Sequence, residues 1–279
     1  MRTIIGALWL ASNLAAGAAW AQPFPPNEAG VTMGHWHLNS RDVEATKKIF
    51  VGMGGTALKP GFFEIVRFPG VVVNLHLRQP APSTGGTIGS VVDHVGFTVQ
   101  NVQEVVAKWK AAGVPVQPGN LVANQPFPTN RTDQAFVITP DGLKIEILEN
   151  KNQKFPIQHE HVHFYVEEAA IPQIHAWYVK TFGAKAGIRN NAPIADVPGT
   201  QLRFARSKTQ LPGTKGRVLD HIGFDVTDLP AFIKKIEAAG IKLDRPYTQQ
   251  GPGAALAFIT DPWGTYIELN QRPNAAYIN

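Results

Sequence analysis

The sequence predicts an α+β protein built from four copies of one strand–helix–three-strand module, with the modules paired into two domains. Three observations carry this expectation. A strand-like segment around a His recurs four times: Gly34-His35-Trp36-His37-Leu38, Asp93-His94-Val95-Gly96-Phe97, Glu160-His161-Val162-His163-Phe164 and Asp220-His221-Ile222-Gly223-Phe224. Seven residues after each His stands an acceptor suited to starting a helix: Asp42, Asn101, Glu168 and Asp228. A Gly then ends each helical stretch, at Gly54, Gly113, Gly183 and Gly240, and only the third His-to-Gly spacing is longer than the others.

In chain order, helical patterns run from Val43 to Val51, Val102 to Ala112, Ile171 to Phe182 and Leu229 to Ala239. Short strand-like runs follow each helix, such as Phe63 to Arg67 and Gln134 to Ile138. The second and fourth modules close on tight turns, Pro140-Asp141-Gly142 and Asp261-Pro262-Trp263-Gly264, which feed last strands carrying Glu146 and Glu268. One such module leaves a sheet face bare, so modules must pair. The His35-to-His161 and His94-to-His221 distances agree to within one residue, which predicts a duplicated pair of modules. The expected division is a leader at 22–32, a first pair at 33–151, a linker at 152–157, a second pair at 158–272 and a tail at 273–279.

The chain has 279 residues, 44% of them hydrophobic and 17% charged, a balance that supports packed cores rather than disorder. A net charge of +5, with Lys and Arg interspersed among Asp and Glu, argues against nucleic-acid binding. Residues 1–21 read as a secretory signal: Met1-Arg2, an apolar run, then Ala19-Trp20-Ala21. The expectation is an exported, periplasmic or secreted protein with no membrane association after signal removal. With no Cys, any metal site must draw on His, carboxylate, amide and water.

Eight of the nine His residues fall on predicted strands. Alternation places His35 with His37 on one face, and likewise His159 with His161 and His163, and Asn74 with His76. Glu146 and Glu268 lie among aliphatic residues, where an inward carboxylate needs a partner or a metal. Two imidazoles and a carboxylate suit Fe2+, Mn2+, Zn2+ or Ni2+, with positions left for water and substrate.

The His-to-Asp spacing, the helix ending in Gly and the closing Pro-Asp-Gly-x-x-Ile-Glu resemble the vicinal-oxygen-chelate superfamily, which includes glyoxalase I, bleomycin-resistance proteins and type I extradiol dioxygenases. The resemblance covers nearly all of the chain after residue 21. It implies βαβββ modules paired into two half-open-barrel domains. Carried over by position, it implies metal ligands His35, His94 and Glu146 in the first domain and His161, His221 and Glu268 in the second. A fourth ligand place falls at Asn74 or His76, and at Arg203 or Ala205; a cationic Arg203 predicts the weaker site in its domain. Extradiol enzymes have an active-site Tyr where this chain has Phe136 and Phe258. The resulting expectation is a metal-dependent isomerase, lyase or dioxygenase acting on vicinal oxygens of a small substrate, anionic or aromatic. His76 and His37 are the candidate proton-transfer residues, and the chain is a monomer or homodimer. The alternative is a non-catalytic small-molecule binder of the bleomycin-resistance type.

Overall fold

The computed structural model describes residues 24–59, 64–77, 84–117, 120–122, 125–127 and 131–272. The expected signal at 1–21, the start of the leader and the tail at 273–279 lie outside the described residues. Among the described residues no helix is long and apolar enough to cross a membrane.

The first module comprises β1 (Val31–Ser40), α1 (Val43–Gly52), β2 (Thr56–Leu58), β3 (Glu64–Phe68) and β4 (Val71–Leu77). The second comprises β5 (Val92–Val99), α2 (Val102–Ala111), β6 (Val116–Gln117), a small β7–β8 ribbon (Asn120–Val122, Gln125–Phe127), β9 (Gln134–Ile138) and β10 (Lys144–Glu149). The third has β11 (Ile157–Glu167), α3 (Ile171–Phe182), β12 (Lys185–Arg189), β13 (Ala192–Val197) and β14 (Thr200–Ser207). The fourth has β15 (Leu219–Val226), α4 (Leu229–Ala238), β16 (Arg245–Gly251), β17 (Ala254–Thr260) and β18 (Tyr266–Gln271).

Asp42, Asn101 and Asp228 each accept a hydrogen bond from the backbone N–H three residues on, so three of the four helix starts are capped by their side chains. Glu168 departs from the expectation. It opens a single 3-10 turn, and α3 begins at Ile171 without a side-chain cap, with Pro in its first turn. This turn occupies the extra length of the third module. Gly54, Gly113, Gly183 and Gly240 all adopt positive φ just past the helix ends.

The pairing of modules differs from the expected one. One open eight-stranded sheet runs β16-β17-β18-β15-β1-β4-β3-β2, and the other runs β12-β13-β14-β11-β5-β10-β9-β6. The first module therefore pairs with the fourth, through antiparallel β1 and β15, and the second with the third, through antiparallel β5 and β11. The divisions 33–151 and 158–272 each contain half of both sheets. Linker length supplies a reason. Residues 150–156 join the two modules of one sheet, while the longer 78–91 and 208–218 carry the chain from one sheet to the other. These two long linkers bond to each other: Thr84 N–H to Gly216 O, Val218 N–H to Gly85 O, and Arg217 to Gly86 O at 2.7 and 3.0 Å.

One apolar core spans both sheets. Trp36 of β1 meets Phe97 of β5 and His159 of β11, at ring separations of 5.4 and 4.9 Å. His159 does not share a face with His161. A β-bulge between them turns His159 into this core, where burial lowers its pKa to about 4.

Candidate metal centres

The histidines owe their placement to four bulges at the sheet centres. Where β11 meets β5, Glu160 and Asp93 are the extra residues; where β1 meets β15, they are Gly34 and Asp220. In a regular strand, neighbouring side chains point to opposite faces. The bulges break that rule and bring each acidic residue alongside the His that follows it. His94 Nδ1 lies 2.7 Å from Asp93, His161 Nδ1 2.5 Å from Glu160, and His221 Nδ1 2.7 Å from Asp220. Gly96 and Gly223 leave the space that the imidazoles cross. A Cβ at Gly96 would lie 1.9 Å from His161 Cε1, and one at Gly223 2.0 Å from His35 Cε1.

Two clusters result. In the first, ligand atoms of His94, Glu146, His161 and His163 lie within 4.8 Å of one another. Glu146 Oε2 stands 3.1 Å from His161 Nε2 and 3.4 Å from His94 Nε2. Burial opposes the charge on Glu146, but His161 and His94 hold its pKa well below the usual range. His161 donates through Nδ1 to Glu160, which leaves the Nε2 lone pair facing Glu146, and that buried Nε2 has no hydrogen-bond partner. His94 Nδ1 likewise meets Asp93, itself bonded to the buried Lys144 ammonium at 3.0 Å, but the His94 Nε2 is also 3.0 Å from His163 Nδ1. Two imidazoles oriented by carboxylates, with both Nε2 atoms within 3.4 Å of a third carboxylate, are a donor set that fits a divalent metal.

Arg203, on β14, grips both oxygens of Glu160 and lies 3.8 Å from Glu146. Arg189 donates to Glu160 as well, at 2.9 Å. Tyr165 flanks the cluster, its ring 5.1 Å from that of His163 and 6.3 Å from that of His94. Burial, with Asp93 and Glu146 nearby, raises its hydroxyl pKa to about 12. The cluster opens into a cavity of about 490 Å³ lined by Glu146, His163, Arg131, Arg189, Arg203 and Arg206 among others.

The second cluster is His35, His221 and Glu268. His221 Nε2 is hydrogen-bonded to Glu268 Oε2 at 2.8 Å, and His35 Nε2 is 3.3 Å from the same oxygen. His37 stacks on His221 at 4.6 Å, and burial, followed by the charges of His221 and His35, lowers its pKa to about 3. The bulge before His35 carries Gly34, so no acidic neighbour meets the His35 Nδ1. Instead Arg272 donates to it at 2.9 Å, held in turn by Asp225 at 2.8 Å.

The model of the Glyoxalase/Bleomycin resistance protein/Dioxygenase superfamily matches residues 128–269, just over half of the chain. The chain belongs to this superfamily. Glyoxalase I from Zea mays superimposes with a TM-score of 0.67 at 18% identity, over 86% of this chain and 92% of that one. A putative dioxygenase from Bacillus subtilis superimposes with a TM-score of 0.60 at 12% identity, over 88% of this chain and 87% of that one. No curated protein matches in sequence.

Within this superfamily fold, the six expected ligands are brought together, but in a different partition. His94 and Glu146 join His161 rather than His35, and His221 and Glu268 join His35 rather than His161. The exchange follows from the module pairing. Asn74 lies opposite His37 and His76 opposite Asn39 by backbone register, beside the His35 cluster; the His76 side chain lies outside those described. Arg203 belongs to the Glu146 cluster, where Glu160 meets its charge. Phe136 and Phe258 sit across the strands from Glu146 and Glu268. The sequence reading gave no role to His163, Tyr165 or the acidic residues before the histidines. The adjacent pairs Asp93-His94, Glu160-His161 and Asp220-His221 were the available signal.

Proposed function

We propose that this chain is a metal-dependent enzyme that holds a divalent ion among His94, Glu146 and His161 and acts on a small anionic molecule with adjacent oxygens. The observation that carries the reading is the orientation of His161 and His94. Each gives its Nδ1–H to a carboxylate and turns its Nε2 toward Glu146, and the buried His161 Nε2 has no hydrogen-bond partner. A divalent ion held there would supply Lewis acidity toward paired substrate oxygens. His163 both touches His94, at 3.0 Å, and lines the cavity, so it is the imidazole positioned to exchange a proton with a bound molecule. This assigns to His163 the part that sequence reasoning gave to His76 and His37.

The cavity favours an anion. Arg131, Arg189 and Arg203 each meet a carboxylate, whereas Arg206 at the rim has no ionic partner among the described residues. Export is part of the proposal and rests on residues 1–21 alone.

Glu146→Ala removes the anionic ligand and is expected to weaken metal binding by at least about tenfold. Elemental analysis of protein purified without chelator, followed by metal titration of both forms, tests this. A variant that keeps full metal content overturns the ligand assignment. A metal-free wild-type protein that still binds small anions would instead support the non-catalytic binding role.

A further inference from the structure

The two centres occupy equivalent places in their sheets, with His161 matching His35, His94 matching His221 and Glu146 matching Glu268. They differ at one bulge, which holds Glu160 in one sheet and Gly34 in the other. A Cβ at Gly34 would lie 2.6 Å from Asp225 Oδ1, so the glycine makes room for the carboxylate that holds Arg272. The acidic residue that orients His161 is thus replaced, at His35, by a guanidinium.

The replacement reverses the imidazole. A guanidinium only donates, so His35 Nδ1 must accept, and the ring proton of neutral His35 sits on Nε2. That proton lies on the side of Glu268, whose Oε2 is 3.3 Å from Nε2, in the place where the other centre presents a lone pair; like His161 Nε2, His35 Nε2 is buried without a hydrogen-bond partner. His221, whose Nδ1 meets Asp220, lies 2.8 Å from the same oxygen through Nε2, so donating to both carboxylates puts a proton on each of its ring nitrogens. In the other centre His161 Nε2 and His94 Nε2 stand farther from Glu146, at 3.1 and 3.4 Å. Arg203 does not have the same effect, because it donates to Glu160 and not to a ring nitrogen.

We propose that Arg272 keeps the His35–His221–Glu268 triad free of metal, and that removing this guanidinium converts the triad into a second metal site. The donor set is otherwise complete: two imidazoles and a carboxylate, with His221 oriented by Asp220. The chain then carries a single working ion in spite of two look-alike centres. The inference rests on the metal reading of the His94 centre only for the total count.

The test is zinc content per chain, measured after loading with Zn2+ and desalting, for full-length wild type, Arg272→Ala, Glu146→Ala and the double variant. The expected values are one, two, none and one. Zero in wild type with one in Arg272→Ala would sink the reading of the His94 centre and leave this inference standing. Two in wild type, or no gain in a folded Arg272→Ala protein, overturns it. Nitrogen NMR of the His35 ring in wild type provides a check that does not depend on the variant folding. A protonated Nε2 with a bare Nδ1 is expected, and the opposite tautomer overturns the inference.

Discussion

At the scale of single residues, the two His–Glu clusters depend as much on what is missing as on what is present. Gly96 allows the His161 ring to lie across β5, and Gly223 does the same for His35 across β15. Adding one methyl group at either position must push an imidazole aside, with overpacking that costs about 1–3 kcal/mol. The consequences for metal should differ. Gly96→Ala is expected to weaken zinc binding by at least about tenfold, the range seen when a ligand's orientation is lost. Gly223→Ala should lower the melting temperature similarly and leave zinc affinity unchanged. Calorimetric titration of both variants checks this, and equal losses would show that the two centres are not separate. The six residues that cluster were legible as candidates in the sequence, because each His opens a module and each Glu interrupts an apolar strand. Their grouping was not, because nothing local records which imidazole will face which carboxylate.

At the scale of elements, the module and three of its four helix starts could be read directly. Asp42, Asn101 and Asp228 act as the capping residues their type suggests, since a short side-chain acceptor at that place satisfies an N–H the helix leaves open. Glu168 fails in that role because the longer β11 runs on into a 3-10 turn before α3 begins. The bulges were the least visible feature. Strict alternation put His159 with His161 and left Glu160 on the far side, and a single extra residue reverses both assignments. A bulge has no composition of its own, but an acidic residue directly before each of three histidines carried the information.

At the scale of the whole molecule, the repeat gave the parts and concealed the assembly. Consecutive modules suggest consecutive pairing, and either pairing sets a His-x-His strand against a His-x-Gly strand, so side-chain complementarity does not distinguish them. The linkers do: the short 150–156 keeps two modules in one sheet, and the long pair bonded to each other ties the two sheets together. Across the same boundary, Tyr178 of α3 donates to Asp261 of the fourth module at 2.8 Å, and Phe182 packs on Phe224 at 4.5 Å. Because each holds half of both sheets, residues 33–151 and 158–272, produced separately, should fail to give cooperative melts, each exposing unpaired strand edges. Mixed together, they should recover one. A half that melts cooperatively alone and binds zinc would contradict the pairing of first with fourth and second with third.

The central claim is that one metal centre lies among His94, Glu146 and His161. Anomalous scattering from a zinc-loaded crystal, measured at the zinc absorption edge, tests it most directly. The account predicts a strong peak within bonding distance of His94 Nε2, His161 Nε2 and Glu146, and none at His35. A peak confined to the His35–His221–Glu268 triad, or no peak beside Glu146, would contradict it.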